Sequence, residues 1–169
     1  MKFATAFGAS KASPDSKEYN DGIKIGRFLS KKGYVVKCGG YQGLMEAVSR
    51  GVKEEGGICI GITLKKFDSI RPQNPYLSKR VSCNSLFERL QFLIEDTSLF
   101  IVQNGSIGTL NELFMVWAIK YGNLSDFRIC LVSENYEELK HSSFIKKEQL
   151  DLLEFYKDAD DFIIRNPDL

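Results

Sequence analysis

Three glycine-containing turns hold most of the residues here whose types and spacing could do chemistry. They are Gly8-Ala9-Ser10, Gly39-Gly40-Tyr41-Gln42-Gly43-Leu44-Met45 and Asn104-Gly105-Ser106-Ile107-Gly108-Thr109. Each follows an apolar run and precedes helical spacing, so each gathers free backbone N–H groups and the positive end of a helix dipole. Glycine lets such a turn take positive φ and lets an anion approach the backbone closely. A single turn of this kind is explained by the strand-to-helix handover alone. Three on one edge of a sheet favour an anionic, phosphate-like ligand. Glu112 lies one turn inside the helix opened by the third turn, and Glu88 and Arg89 lie on the helix before it. A carboxylate at that place either satisfies the helix dipole or faces a ligand; the arginine either belongs to a solvated face or pairs with an anion. Neither G-x-x-x-x-G-K-[ST] nor G-x-G-x-x-G is present, which argues against ATP hydrolysis and nicotinamide chemistry.

The elements that must position these residues alternate. Apolar runs at 3–7, 34–38, 58–63, 98–102 and 127–132 read as buried strands. Helical spacing covers the segment after Pro14-Asp15-Ser16 up to Gly33, then about 43–55, 85–95 and 109–121. Further on, the pattern predicts a helix over about 136–147, another over 148–156 and a last short strand at 161–164. Residues 65–83 show no periodicity and carry Pro72, Asn74 and Pro75, so they read as a long loop beside a site. Within it, Arg71 and Arg80 are either solvated charges or groups that reach a neighbouring subunit's pocket. Apolar strands alternating with helices predict an α/β fold. The expectation is one Rossmann-like, doubly wound parallel sheet with helices on both faces, in a single nucleotide-binding domain over residues 1–169.

Composition narrows the function classes. The chain has 169 residues, Lys+Arg 23 and Asp+Glu 22, for a formal net charge of +1. So balanced a charge argues against nucleic acid or an anionic membrane as the partner. A single histidine, His141, leaves little material for a histidine-rich metal site or a Ser-His-Asp triad, and neither metal nor cofactor is expected. Cys38, Cys59, Cys83 and Cys130 form no C-x-x-C pair and sit in or beside apolar stretches, as buried thiols do in a reducing cytoplasm. No run approaches the ~18 apolar residues of a membrane span, and Met1–Gly8 is too short for a signal peptide, so a cytoplasmic protein is expected. The stretch 109–121 carries Leu113, Phe114, Val116, Trp117 and Tyr121, more apolar bulk than one sheet face normally covers. That surplus lies either in the core or in a homodimer interface.

Two of the glycine segments resemble a known family. Gly39-Gly40-Tyr41-Gln42-Gly43-Leu44-Met45 is similar to the G-G-x-x-G-L-M segment of the LOG family, the cytokinin-activating phosphoribohydrolases also labelled lysine decarboxylases. Asn104 to Glu112 resembles that family's P-G-G-x-G-T-x-x-E signature, with Glu112 at the final acid. Arg89 falls at the arginine of the family's E-R-K segment, Phe7-Gly8-Ala9-Ser10 at its G-S-S turn, and Trp117 at a tryptophan after the signature. The similarity runs in order over about residues 3–145.

The resemblance implies an enzyme that cleaves the N-glycosidic bond of AMP or N6-modified AMP to free base and ribose 5-phosphate. Glu112 and Arg89 are then the catalytic pair. Glu112 would stabilise positive charge on the ribose and orient water, while Arg89 would pair with the phosphate or hold Glu112. The phosphate would be bound by Gly105, Ser106, Ile107, Gly108 and Thr109, with Gly8, Ser10, Gly39, Gly40, Gly43, Leu44 and Met45 completing the ligand site. No cofactor is implied, no lysine is in place for PLP chemistry, and a homodimer is expected. The alternative is a non-catalytic nucleotide or molybdenum-cofactor binding or carrier protein of the same fold, which needs the turns but not the hydrolytic pair. The chain departs from the pattern at Asn104 and Ser106, which make the signature N-G-S, and at Asn111, Leu90 and Phe87. If Ser106 has to take positive φ, its side chain strains or crowds the turn.

Overall fold

The computed structural model describes residues Met1–Leu169. Its strands are β1 (Lys2–Phe7), β2 (Tyr34–Cys38), β3 (Cys59–Leu64), β4 (Lys79–Cys83), β5 (Thr97–Gln103), β6 (Arg128–Val132) and β7 (Glu154–Tyr156). Its helices are α1 (Lys17–Lys31), α2 (Leu44–Glu54), α3 (Lys65–Asp68), α4 (Leu86–Ile94), α5 (Ile107–Tyr121), α6 (Lys147–Leu150) and α7 (Ala159–Ile164), with a 3-10 helix at Glu134–His141. The strands form one sheet in the order β4-β3-β2-β1-β5-β6-β7, and every neighbouring pair is parallel. The chain therefore winds outward from β1 to β4, returns to the other side of β1 at β5, and winds outward again to β7. This is the expected Rossmann-like sheet, with its topological switch between β1 and β5.

Period-two alternation divides the strand residues between two cores. Ala4, Ala6, Leu99, Ile101, Cys130 and Val132 pack under α1, α2 and α7. Phe7, Phe100, Val102, Ile129 and Leu131 pack under α4 and α5. Helices α1 and α2 touch backbone to backbone, because a Cβ on Gly26 would lie 2.1 Å from the Val48 carbonyl oxygen and one on Gly51 2.1 Å from that of Ile23. Ser16 and Ser85 cap α1 and α4 by accepting from the N–H groups of Tyr19 and Glu88. At the other end of α4, buried Lys37 of β2 donates to the carbonyls of Phe92 and Glu95. A cation thereby meets the negative end of the helix dipole. No helix is long and apolar enough to cross a membrane.

Two stretches differ from the sequence expectation. Residues 65–83 are not one loop: they contain α3 and the edge strand β4. An edge strand pairs on one side only, and β4 (KRVSC) is mostly exposed, so it lacks the apolar run that marks the inner strands. In the C-terminal part, the expected helix at 136–147 is the shorter 3-10 helix followed by α6, and the expected helix at 148–156 ends in β7. Strand β7 has three residues, too few to show a period, and is set by pairing Leu131 with Phe155 and Val132 with Tyr156. The expected strand at 161–164 lies in α7. Asp158 caps that helix by accepting from the Asp161 N–H, and Phe162 is buried between Phe28 and Tyr156. The apolar pair Ile163-Ile164 resembles a strand only until the cap is recognised.

Candidate functional site

The three glycine turns meet where β1 and β5 end. The Ala9 N–H donates to the Asn104 carbonyl at 2.9 Å, and the Ala9 carbonyl accepts from the Leu44 N–H at 2.8 Å, so one residue stitches all three together. This needs glycine at position 43: its φ is +70°, and a Cβ there would lie 2.3 Å from the Ala9 carbonyl oxygen. Helices α2 and α5 start from this junction at Gly43 and Ser106, and neither start is closed by a side-chain cap. The N–H groups of the first turn of α5 thus remain available to a ligand.

A cavity of about 310 Å³ opens above the junction. Of the expected site residues, Gly8, Ser10, Met45, Arg89, Ser106, Ile107, Gly108, Thr109 and Glu112 line it. Gly39, Gly40, Gly43, Leu44 and Gly105 do not line it and act from behind. The Gly39 carbonyl accepts from Arg89, and a Cβ on Gly39 would press on the Arg89 guanidinium at 2.4 Å. Gly40, at φ +79°, turns the chain after β2. Leu44 fills the space under Gly8, and a Cβ on Gly105 would strike the Thr109 hydroxyl at 2.1 Å. Residues not expected at the site also line it: Phe67, Arg71 and Leu86. The Arg71 guanidinium lies 5.0 Å from the Tyr41 ring and 4.5 Å from the Phe67 ring, which adds a second cation to the pocket wall. The proline-containing segment was visible as a pocket-side feature, but nothing in it distinguished Arg71 from Arg80, which lies on β4.

Arg89 and Glu112 form an ion pair, Nη1 to Oε1, at 3.4 Å, with both side chains nearly buried. Arg89 is fixed from behind: its Nε donates to the Ile62 carbonyl at 2.9 Å and its Nη2 to the Gly39 carbonyl at 3.4 Å. It also lines the cavity and keeps N–H capacity beyond these three contacts. Burial pushes the Glu112 carboxyl up to about 7, against the opposing pull of Arg89. Ser106 differs from the strained conformation considered for it. Its φ is −116° and its ψ −153°, extended backbone open to any residue, so the N-G-S signature carries no strain there.

Comparison with known proteins agrees with this architecture. The cytokinin riboside 5′-monophosphate phosphoribohydrolase of Mycobacterium tuberculosis is 28% identical over 123 residues, 72% of this chain and 66% of that one. Its Mycobacterium marinum counterpart is 28% identical over 109 residues, 64% of this chain and 58% of that one. This chain thus matches less than two thirds of the length of either. Among solved structures, a structural-genomics crystal structure superposes with a TM-score of 0.79 at 24% identity over 100% of both chains. The molybdenum cofactor binding protein of Rippkaea orientalis superposes with a TM-score of 0.73 at 17% identity, covering 97% of this chain and 94% of that one. At such identities the two structures speak for the fold alone. With the sheet order, the stitched glycine turns and a family model matching residues 3–153, the chain belongs to the SLOG cluster4 family.

Proposed function

We propose that this chain is a single-domain binding protein for a phosphorylated small molecule, nucleotide-like or molybdenum-cofactor-like, which it holds without cleaving. The observation that carries this reading is the convergence of three anion-attracting groups on one cavity: the uncapped start of α5, Arg89 and Arg71. One feature favours holding over hydrolysis: position 111, beside Glu112, carries an amide in place of an acid. A molybdenum cofactor binding protein shares this fold over nearly the whole chain, so the fold itself is compatible with binding.

Hydrolysis is the second reading, favoured by the survival of Glu112 and Arg89 in contact within the pocket and by the phosphoribohydrolase relatives. In that reaction water would add to the ribose anomeric carbon as the carbon–nitrogen bond breaks. The bonding pair would leave with the base, and ionised Glu112 would take the proton from the water. Incubating the pure protein with AMP and N6-substituted AMP separates the two. Calorimetric binding with no free base on chromatography is the expected result. Base release that Glu112→Gln abolishes would establish hydrolysis instead.

The protein is further proposed to be a cytoplasmic homodimer. Phe87 of α4 and Ile107, Phe114 and Met115 of α5 are exposed large apolar side chains, and all four cysteines are free thiols. Sedimentation showing only monomer at micromolar concentration would refute the dimer.

A further inference from the structure

We infer that the glycine-turn pocket takes up a proton on Glu112 together with a dianionic phosphate monoester, so that rising pH releases the ligand. This rests on the binding reading above and adds to it the charge of the ligand and the way it is let go.

The charged side chains that line the cavity are Arg71, Arg89 and Glu112. With Glu112 ionised, two arginines against one carboxylate give a net +1; with Glu112 protonated the net is +2, which matches a dianion. Arg71 lies against the Tyr41 and Phe67 rings and in no ion pair. Arg89 is already committed: the carbonyls of Ile62 and Gly39 accept from its Nε and Nη2, and Nη1 faces Glu112 at 3.4 Å. An anion on Arg89 therefore draws on the same positive charge that balances Glu112.

Glu112 has no other support. Its side chain is 12% exposed, and Arg89 supplies its single hydrogen bond. Once a dianion shares that arginine, the carboxylate is both desolvated and beside like charge, and each effect favours the protonated form. The neutral acid also gains a contact, because its O–H can donate to the phosphate, whereas a carboxylate can only accept. In the unliganded chain burial already holds the carboxyl at about 7 against the pull of Arg89. The ligand moves it further up. The other titratable groups around Glu112 are Tyr41 on the cavity wall, Cys38 at the end of β2 and Tyr136 of the 3-10 helix. Burial holds both tyrosines above the ordinary tyrosine range, so they stay neutral.

Binding and proton uptake are reciprocal. Affinity is lost as pH rises past the point where Glu112 of the empty pocket ionises, by up to about tenfold per pH unit. The test titrates AMP into the full chain by calorimetry at about pH 8 in Tris and in HEPES, whose different ionisation heats turn proton uptake into a difference in measured heat. The natural protein should take up between about half a proton and one, and its affinity should fall about tenfold between about pH 7 and about pH 8.5. Glu112→Gln cannot ionise, so it should bind AMP with no proton uptake and with constant affinity over that range. The ionisation of the AMP phosphate near pH 6 and that of Cys38 are common to the two proteins and cancel. Ribose 5-phosphate, which has no base to lose, repeats the measurement if AMP is cleaved. The two-buffer comparison on the natural protein decides alone if the glutamine variant folds poorly. AMP binding without proton uptake, or uptake that persists in Glu112→Gln, would overturn this inference and leave the binding reading standing. No binding of AMP or ribose 5-phosphate at any pH would overturn both.

Discussion

Replacing Glu112 by glutamine tests the electrostatics of the glycine-turn pocket most directly. In the folded chain the Glu112 carboxyl is held up at about 7, from an ordinary value of 4.5, because burial outweighs the attraction of Arg89. A raised carboxyl means that the native state binds more protons than the unfolded chain between those two values. Stability from this group is therefore fully present at acid pH and is lost as pH rises to about 7. At about 1.4 kcal/mol per pH unit, the loss comes to about 3 kcal/mol.

Glutamine keeps the shape of the side chain and cannot ionise, so the variant lacks this loss. Urea unfolding of both proteins at about pH 4 and about pH 8.5 isolates the effect, because other titrating groups are common to the two and cancel. The stability of the variant relative to the natural protein should grow by about 3 kcal/mol between the two conditions. The offset at acid pH, where Glu112 is protonated, reports only the exchange of a carboxylic acid for an amide beside Arg89. Parallel pH profiles would refute the reasoning, since they would mean that Arg89 keeps the carboxyl near its ordinary value. A stability of the variant, relative to the natural protein, that falls with rising pH would reverse its sign.

Three other substitutions bear on the same architecture. Arg89→Met should lower affinity for AMP by calorimetry at least about tenfold and cost about 1–3 kcal/mol in stability, because the carbonyls of Ile62 and Gly39 lose their donor. Gly26→Ala should lower the unfolding midpoint strongly, by about 1–3 kcal/mol or more, since its methyl would sit 2.1 Å from the Val48 carbonyl oxygen. Gly108→Ala should leave stability unchanged or slightly higher in thermal melts while weakening AMP binding, because a Cβ there meets no protein atom within 4 Å and points only at free space.

The elements around the switch point were legible because several signals coincide there. Ser16 and Ser85 sit at helix starts, glycines at the turns, and the inner strands are apolar on both faces. Legibility failed where an element is short or lies at an edge. Strand β4 pairs on one side, β7 has three residues, and both follow partners chosen by the rest of the sheet rather than by their own pattern. Arg71 shows the same limit within the site. Its position depends on Asn74, buried three residues on, whose side chain donates to the Tyr41 carbonyl and the Ser49 hydroxyl and so pins the segment against α2. A buried asparagine between two prolines does not announce such a long-range anchor in a linear pattern.

The departures from the family signature act at separate places, and their geometry tells what each glycine is for. Ser106 has extended backbone, so a second glycine is not needed to make the turn, and the serine adds a hydroxyl at the mouth of the pocket. Asn104 keeps the carbonyl that accepts from Ala9, which proline would also supply. Its side chain, which proline lacks, accepts from the Asn135 side-chain amide at 3.1 Å. By contrast, Gly105 must be small because Thr109 packs on it. Gly108 has neither reason: its φ is not in the left-handed region and no protein atom lies near a Cβ built on it. A glycine that the fold does not require, at the open start of α5 and lining one cavity with Arg89, is best explained by a group from outside the chain that must come close to the backbone there.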